Sequence, residues 1–341
     1  MELERLEATA RQMVAPGRGI LAMDESTATC TARFDKLGVA STEENRLSYR
    51  QMLVTAPGIS DYISGAILFD ETIRQKVKGE VPFASYLDRI GIVPGIKVDK
   101  GAKVLAGHSS EKVTEGLDGL RERLEEYVTL GARFAKWRAV ITIGDGIPTD
   151  ACIMANAHAL ARYAALCQEA GVVPIVEPEV LMDGTHDIAT CRTVTETTLG
   201  VVYEQLHQQG VVPSGTVLKP NMVLSGMDCA QQASVDEVAE QTVDCLRATV
   251  PCEVAGIAFL SGGQTDEKAT LHLNRMNQLD VDLPWPLTFS YGRALQQAPM
   301  KAWSGDNSRQ AEVHGQALRR AMVNAYASRG EYTSEMDGEA A

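Results

Sequence analysis

The 341-residue sequence lacks any stretch near the ~20 apolar residues that a membrane helix needs, so no spanning segment is expected. It also lacks an excess of basic charge. Lys and Arg number 32 against 45 Asp and Glu, a net −13, so the electrostatic footprint of a general nucleic-acid binder is missing. The seven cysteines (Cys30, Cys152, Cys167, Cys191, Cys229, Cys245, Cys252) form no C-x-x-C pair. Zinc-ribbon and thioredoxin readings lose support, and reduced thiols in the cytoplasm are the simplest account. The opening Met1-Glu-Leu-Glu-Arg-Leu-Glu has a charged, helical pattern without the apolar core of a secretory signal. Glycine fingerprints of nucleotide binders are absent too: no G-x-G-x-x-G follows the first strand-like run, and no G-x-x-x-x-G-K-[ST] occurs.

Apolar residues at 45% and charged residues at 23% describe an ordinary globular chain, large enough for one big core. Eight apolar, β-branched runs alternate with helical patterns: Gly19–Met23, Ile63–Phe69, Gly91–Val98, Phe134–Thr142, Val172–Val180, Thr216–Met222, Gly256–Leu260 and Leu287–Ser290. Helix punctuation lies between them. Ser41-Thr-Glu-Glu44 and Ser234-Val-Asp-Glu237 read as capping boxes. Thr149-Asp150 can cap the stretch to Ala170, with Gly171 closing it, and Gly210 closes His186–Gln209. Leu117, Leu120, Leu124, Tyr127 and Leu130 read as the core face of a helix.

Strand–helix alternation predicts parallel pairing. A closed (β/α)8 TIM barrel and a doubly wound open sheet compete. Eight strands at this length, with no nucleotide fingerprint, favour the α/β barrel. A single domain over 1–333 with an N-terminal helix is expected, followed by a mobile acidic tail at 334–341.

Active sites of such barrels sit at the C-terminal strand ends. There the sequence places Asp24, Lys97/Asp99, Lys136/Arg138, Glu177/Glu179, Lys219/Asn221, Ser261-Gly262-Gly263 and Ser290-Tyr-Gly292-Arg293. Residues i and i+2 on a strand share a face, so each pair is expected to point into the barrel mouth. A purely structural reading is a neutralised ionic layer, Lys136 with Glu177 and Lys97 with Asp24. The concentration of charge on separate strands, at the end where barrels carry function, favours a reactive site.

Burial and a second cation both favour a neutral, nucleophilic lysine. Such a lysine forms a Schiff base with a ketone or aldehyde, and the imine takes up electrons from a neighbouring C–C bond. Carboxylates would move the protons. No metal or cofactor is needed, and the six histidines are scattered rather than clustered. Ser261-Gly-Gly-Gln264 leading into a helix, with Gly292 and Arg293, suits a phosphate. Lys97, Arg138 and Ser26 suit a second. A sugar phosphate is the expected ligand.

These residues resemble the class I, Schiff-base-forming fructose-bisphosphate aldolases. The matching segments are Leu21-Ala-Met-Asp-Glu-Ser26, Ser41-Thr-Glu-Glu-Asn45, Gly95-Ile-Lys-Val-Asp-Lys-Gly101, Phe134-Ala-Lys-Trp-Arg138, Val173-Pro-Ile-Val-Glu-Pro-Glu179, Leu218-Lys-Pro-Asn-Met222, Phe259-Leu-Ser-Gly-Gly-Gln264 and Leu287-Thr-Phe-Ser-Tyr-Gly-Arg-Ala-Leu295. The resemblance implies reversible cleavage of fructose 1,6-bisphosphate to dihydroxyacetone phosphate and glyceraldehyde 3-phosphate. It implies Lys219 as the Schiff-base lysine, Glu177 as the dehydration acid/base with Glu179 beside it, Lys136 assisting, and Asp24 handling the C4 hydroxyl proton. Ser261, Gly262, Ser290, Gly292 and Arg293 would hold the ketone-side phosphate. Ser26, Arg33, Lys97 and Arg138 would serve the other phosphate or the chain hydroxyls. A cytoplasmic homo-oligomer, a tetramer by resemblance, is expected.

Two departures stand out. Where the animal-type pattern has Lys-Arg, this chain reads Ala32-Arg33, and it does not end in that pattern's tyrosine; Tyr332 is its last. Another sugar phosphate, such as sedoheptulose 1,7-bisphosphate or a monophosphate, is therefore an alternative substrate. A non-catalytic binding protein on the same scaffold is the alternative from another class.

Overall fold

The structure, a computed structural model, describes residues 3–338. Eight parallel strands close into a barrel in sequence order: β1 (Gly19–Ala22), β2 (Ile63–Leu68), β3 (Val93–Lys97), β4 (Phe134–Ile141), β5 (Val173–Val180), β6 (Val217–Leu218), β7 (Ile257–Phe259) and β8 (Leu287–Tyr291), with β8 pairing back to β1. Helices connect most of them, giving the expected (β/α)8 TIM barrel. Seven strands lie within two residues per end of the expected runs. The exception is β6, which stops at Leu218 rather than reaching Met222. The Lys219 N–H still donates to the Val176 carbonyl at 2.8 Å, but Pro220 has no N–H with which to continue the ladder.

Local chemistry explains the helix ends. Thr149 caps Asp150–Ala170 through the Cys152 N–H, and Gly171 closes it at φ 81°, a conformation glycine adopts at little cost. Ser234 and Glu237 form the expected reciprocal box on Val235–Thr249. The other expected box does not form, and the cap is displaced by one residue. Thr42, not Ser41, caps Glu43–Thr55 by accepting from the Asn45 N–H at 3.1 Å. Ser41 is occupied elsewhere, because its carbonyl accepts from Arg46 at 2.6 Å. In the leucine stripe, Leu120, Leu124 and Tyr127 are buried on the helix Leu120–Thr129, while Leu117 and Leu130 flank it, half-buried. Gly210 follows the helix Ile188–Gln208, which Asp187 caps. Two antiparallel hairpins, Lys76–Val77 with Val81–Pro82 and Ala102–Leu105 with His108–Thr114, were not among the expected elements.

The barrel interior is divided. Toward the N-terminal strand ends, Ile20, Ile67, Val93, Phe134, Ile175 and Val217 form one apolar cluster with Leu6, Ala10 and Met13 of the helix Leu3–Met13. That helix closes the floor, so the ion-paired residues are confined to the opposite mouth. All seven cysteines are free, five of them buried. Ser334–Asp337, where the acidic tail was expected to start, forms a 3₁₀ turn. Asp337 pairs with Arg320 at 3.0 Å and accepts from the Tyr332 hydroxyl at 2.6 Å. Residues 339–341 of that tail lie outside the described residues. No helix among the described residues is long and apolar enough to cross a membrane.

Packing in the floor leaves no room at Gly95. A Cβ there would sit 2.2 Å from the ring of Phe134, which is itself fully buried. Gly95→Ala is expected to cost about 1–3 kcal/mol through overpacking, read as a lower urea midpoint with an unchanged m-value.

Candidate active site

Alternation along β4 sorts its side chains. Trp137 points outward and packs against Tyr163 at a ring separation of 5.6 Å, while Lys136 and Arg138 turn into the barrel. Register then aligns the neighbours: Lys97 lies opposite Lys136, Arg138 opposite Glu177, and Val140 opposite Glu179. Glu177 and Glu179 thus reach the mouth beside the two cations of β4. Lys219 enters from the end of β6, and Asp24 from just beyond β1.

These side chains form one buried ionic cluster. The Lys136 ammonium lies 2.8 Å from Asp24 and 3.4 Å from Glu177 Oε2, with Asp99 at 4.0 Å. The Lys219 ammonium lies 3.1 Å from Glu177 Oε1. One carboxylate, Glu177, therefore bridges both lysines. Asp24, Lys136, Glu177 and Lys219 are 8, 4, 3 and 4% exposed. Buried charges of this kind are tolerated only when paired. Burial opposes the charge on Asp24, but Lys136 and then Lys219 outweigh it and hold the carboxyl down at about 2. Burial likewise disfavours the Lys136 ammonium, yet Asp24, Glu177 and Asp99 push its pKa up, so it stays charged.

One pairing of the purely structural reading and one expected orientation differ. Lys97 pairs with Asp99 at 2.7 Å rather than with Asp24, since the loop after β3 returns Asp99 to its side and Asp24 is held by Lys136. Asn221 does not line the mouth. Once Pro220 ends the strand, alternation no longer applies, and the Asn221 amide is used structurally. It accepts from the Val180 N–H at 2.9 Å and donates to Thr195 at 3.1 Å. Arg138 is paired with Glu179.

The loop after β7 supplies Ser261, Gly262 and Gly263, and the Gln264 N–H closes it onto the Ser261 carbonyl at 3.0 Å. Gly263 sits at φ 72°, and a Cβ on Gly262 would lie 2.5 Å from Leu260. Gly263 therefore calls for glycine, while a side chain at Gly262 would have to displace the end of Leu260. Gly292 and Arg293 open the helix Arg293–Trp303 directly after β8. Ser290 is buried with no partner for its hydroxyl. Ser26 caps the helix Thr27–Asp35 through the Thr29 N–H, and Arg33 on that helix pairs with Glu25 at 2.5 Å. Gln264 apart, these residues, with Asp24, Lys97, Lys136, Arg138, Glu177, Glu179 and Lys219, line a single cavity of about 1190 Å³. Lys36, Arg74, Lys100 and Arg123 line it too and were missed. For Lys36 a signal was available: Thr29, Arg33 and Lys36 share one helix face after the Ser26 cap.

A family model described as fructose-bisphosphate aldolase class-I matches residues 5–341. A probable fructose-bisphosphate aldolase class 1 from Xanthomonas campestris pv. campestris is 62% identical over 333 residues, 97% of this chain and 99% of that protein. The cytosolic fructose-bisphosphate aldolase 5 of Arabidopsis thaliana is 51% identical over 338 residues, 99% of this chain and 94% of that one. A solved structure of the aldolase from Plasmodium falciparum, crystallised with TRAP and a small-molecule inhibitor, superposes with a TM-score of 0.95. It is 47% identical, and the match covers 97% of this chain and 96% of that one. The chain belongs to the class-I fructose-bisphosphate aldolase family.

Within this family fold, the mouth joins a buried amine and a buried carboxylate at proton-transfer distance. That arrangement suits imine chemistry. The depressed Asp24 also sets a pH dependence. A carboxyl whose folded pKa lies below its unfolded value of 3.8 contributes stability above pH ~4, and loses it as pH falls through about 2. The gap is worth about 2 kcal/mol. Urea unfolding of Asp24→Asn should show a deficit of at least that size at pH 7, narrowing as pH falls below 4. A constant deficit would mean Asp24 is not held ionised.

Proposed function

We propose that this aldolase cleaves fructose 1,6-bisphosphate reversibly to dihydroxyacetone phosphate and glyceraldehyde 3-phosphate through a Schiff base on Lys219. The observation that carries the reading is the bridging of Lys136 and Lys219 by Glu177 in a buried mouth. Lys219 passes its proton to Glu177, 3.1 Å away, and the neutral amine attacks the C2 carbonyl. Glu177 returns the proton to the carbinolamine oxygen, and water leaves as the iminium forms. Asp24, ionised and 2.8 Å from Lys136, takes the C4 hydroxyl proton. The C3–C4 bond then breaks, its electron pair moves into the iminium to give an enamine, and glyceraldehyde 3-phosphate departs. Protonation of C3 and hydrolysis release dihydroxyacetone phosphate. Lys136 remains a fixed cation beside these charges, and Glu179 orients Arg138. The iminium itself receives the electrons, so the route asks for no metal and no cofactor.

Phosphate binding fits the same cavity. Ser261, Gly262, Ser290, Gly292 and Arg293 take the ketone-side phosphate, while Ser26, Arg33, Lys97 and Arg138 face the rest of the sugar. We also place the enzyme in the cytoplasm as a homo-oligomer, a tetramer by family. Light scattering on the purified protein reads the assembly directly.

Borohydride trapping with dihydroxyacetone phosphate in EDTA, followed by peptide mapping, tests the central claim. A reduced adduct on Lys219 is expected, and Lys219→Met should lose both adduct and turnover while keeping the native circular dichroism spectrum. An adduct on any other lysine would overturn the assignment. Arg293→Ala should raise KM for fructose 1,6-bisphosphate about tenfold, the value of one charge-assisted contact, with a smaller change in kcat.

A further inference from the structure

The cavity is lined by ten cationic side chains, and most are already committed. Six of them pair with carboxylates: Lys136 and Lys219 in the central cluster, Arg138 with Glu179, Lys97 with Asp99, Arg33 with Glu25, and Arg74 with Asp70 and Glu126. Arg123 donates to the carbonyls of Val98 and Gly116. Among the described residues, that leaves Lys36, Lys100 and Arg293 without an ionic partner. A substrate with a phosphate at each end needs an uncommitted cation for each. Arg293, beside the glycine loop, meets the first.

We propose that Lys36 is the cation that holds the second phosphate and so sets the preference for a bisphosphate sugar. This rests on the aldolase reading above. Lys36 ends the helix Thr27–Asp35 in helical conformation, so it continues the face that carries Thr29 and Arg33, and all three line the cavity. The hydroxyls of Ser26 and Thr29 stand on the same helix, within 3.2 Å of each other. Hydroxyl donors beside a mobile ammonium suit a phosphate. The carboxylate on this wall, Glu25, is already occupied. It accepts from Arg33 at 2.5 Å and from the Gln296 amide at 2.7 Å. Lys100 lines the cavity from the loop after β3, not from the helix that carries the Ser26 and Thr29 hydroxyls, and the test treats it as the alternative.

The test compares fructose 1,6-bisphosphate with fructose 1-phosphate at fixed ionic strength. Lys36→Gln should lower kcat/KM for the bisphosphate about tenfold more than for the monophosphate, mainly through KM, and Lys36→Arg should recover most of the difference. Equal losses on the two sugars, or none on either, would overturn the role of Lys36 while leaving the aldolase reading intact. A larger selective loss in Lys100→Gln would also overturn it, moving the second phosphate to that wall. If the wild-type enzyme releases no triose phosphate and traps no Lys219 adduct, the aldolase reading fails, and this inference fails with it.

Discussion

The structure turns on the need to offset the burial of two lysine side chains, Lys136 and Lys219, in a barrel. Lys136 alone faces three carboxylates, and Lys219 shares one of them. Burial costs each of these groups several kcal/mol, and only close opposite charge offsets it. Removing any one member leaves another uncompensated. The cluster is therefore a constraint on the fold and, in the mechanism proposed above, the source of its chemistry. Glu177 and Lys219, 3.1 Å apart, are the pair between which the proposed mechanism moves a proton.

The barrel makes that cluster affordable by separating it from the floor. The helix Leu3–Met13 seals the N-terminal end with Leu6, Ala10 and Met13. Phe134 fills the space that Gly95 leaves open. The mouth carries the opposite pattern: charged side chains from the ends of β1, β3, β4, β5 and β6 pair within the cavity. Because the strands are parallel, all their C-terminal ends meet on one side, and so do the residues that follow them.

Much of the site was legible because strand periodicity is simple. Lys136/Arg138 and Glu177/Glu179 fall on one face by alternation, and the register of β4 with β5 delivers them to the mouth. The same reasoning held for Lys97 and Asp99, which both line the cavity and pair with each other at 2.7 Å. It failed at Asn221, where Pro220 ends the strand and the following side chain turns into the core. The displaced cap at Thr42 has a similar origin: Arg46, drawn toward Glu71, claims the neighbouring Ser41.

By itself the sequence determined the barrel, the order of its strands, the strand ends that would carry charge, and the family. Those follow from local pattern: period two, helix caps, and motifs read in order. Only the tertiary structure decided which charges pair, which cations remain uncommitted, and which wall of the cavity each one serves. Ion pairs form between residues far apart in the chain, and their choice depends on distances of a few ångströms that no spacing along the sequence encodes.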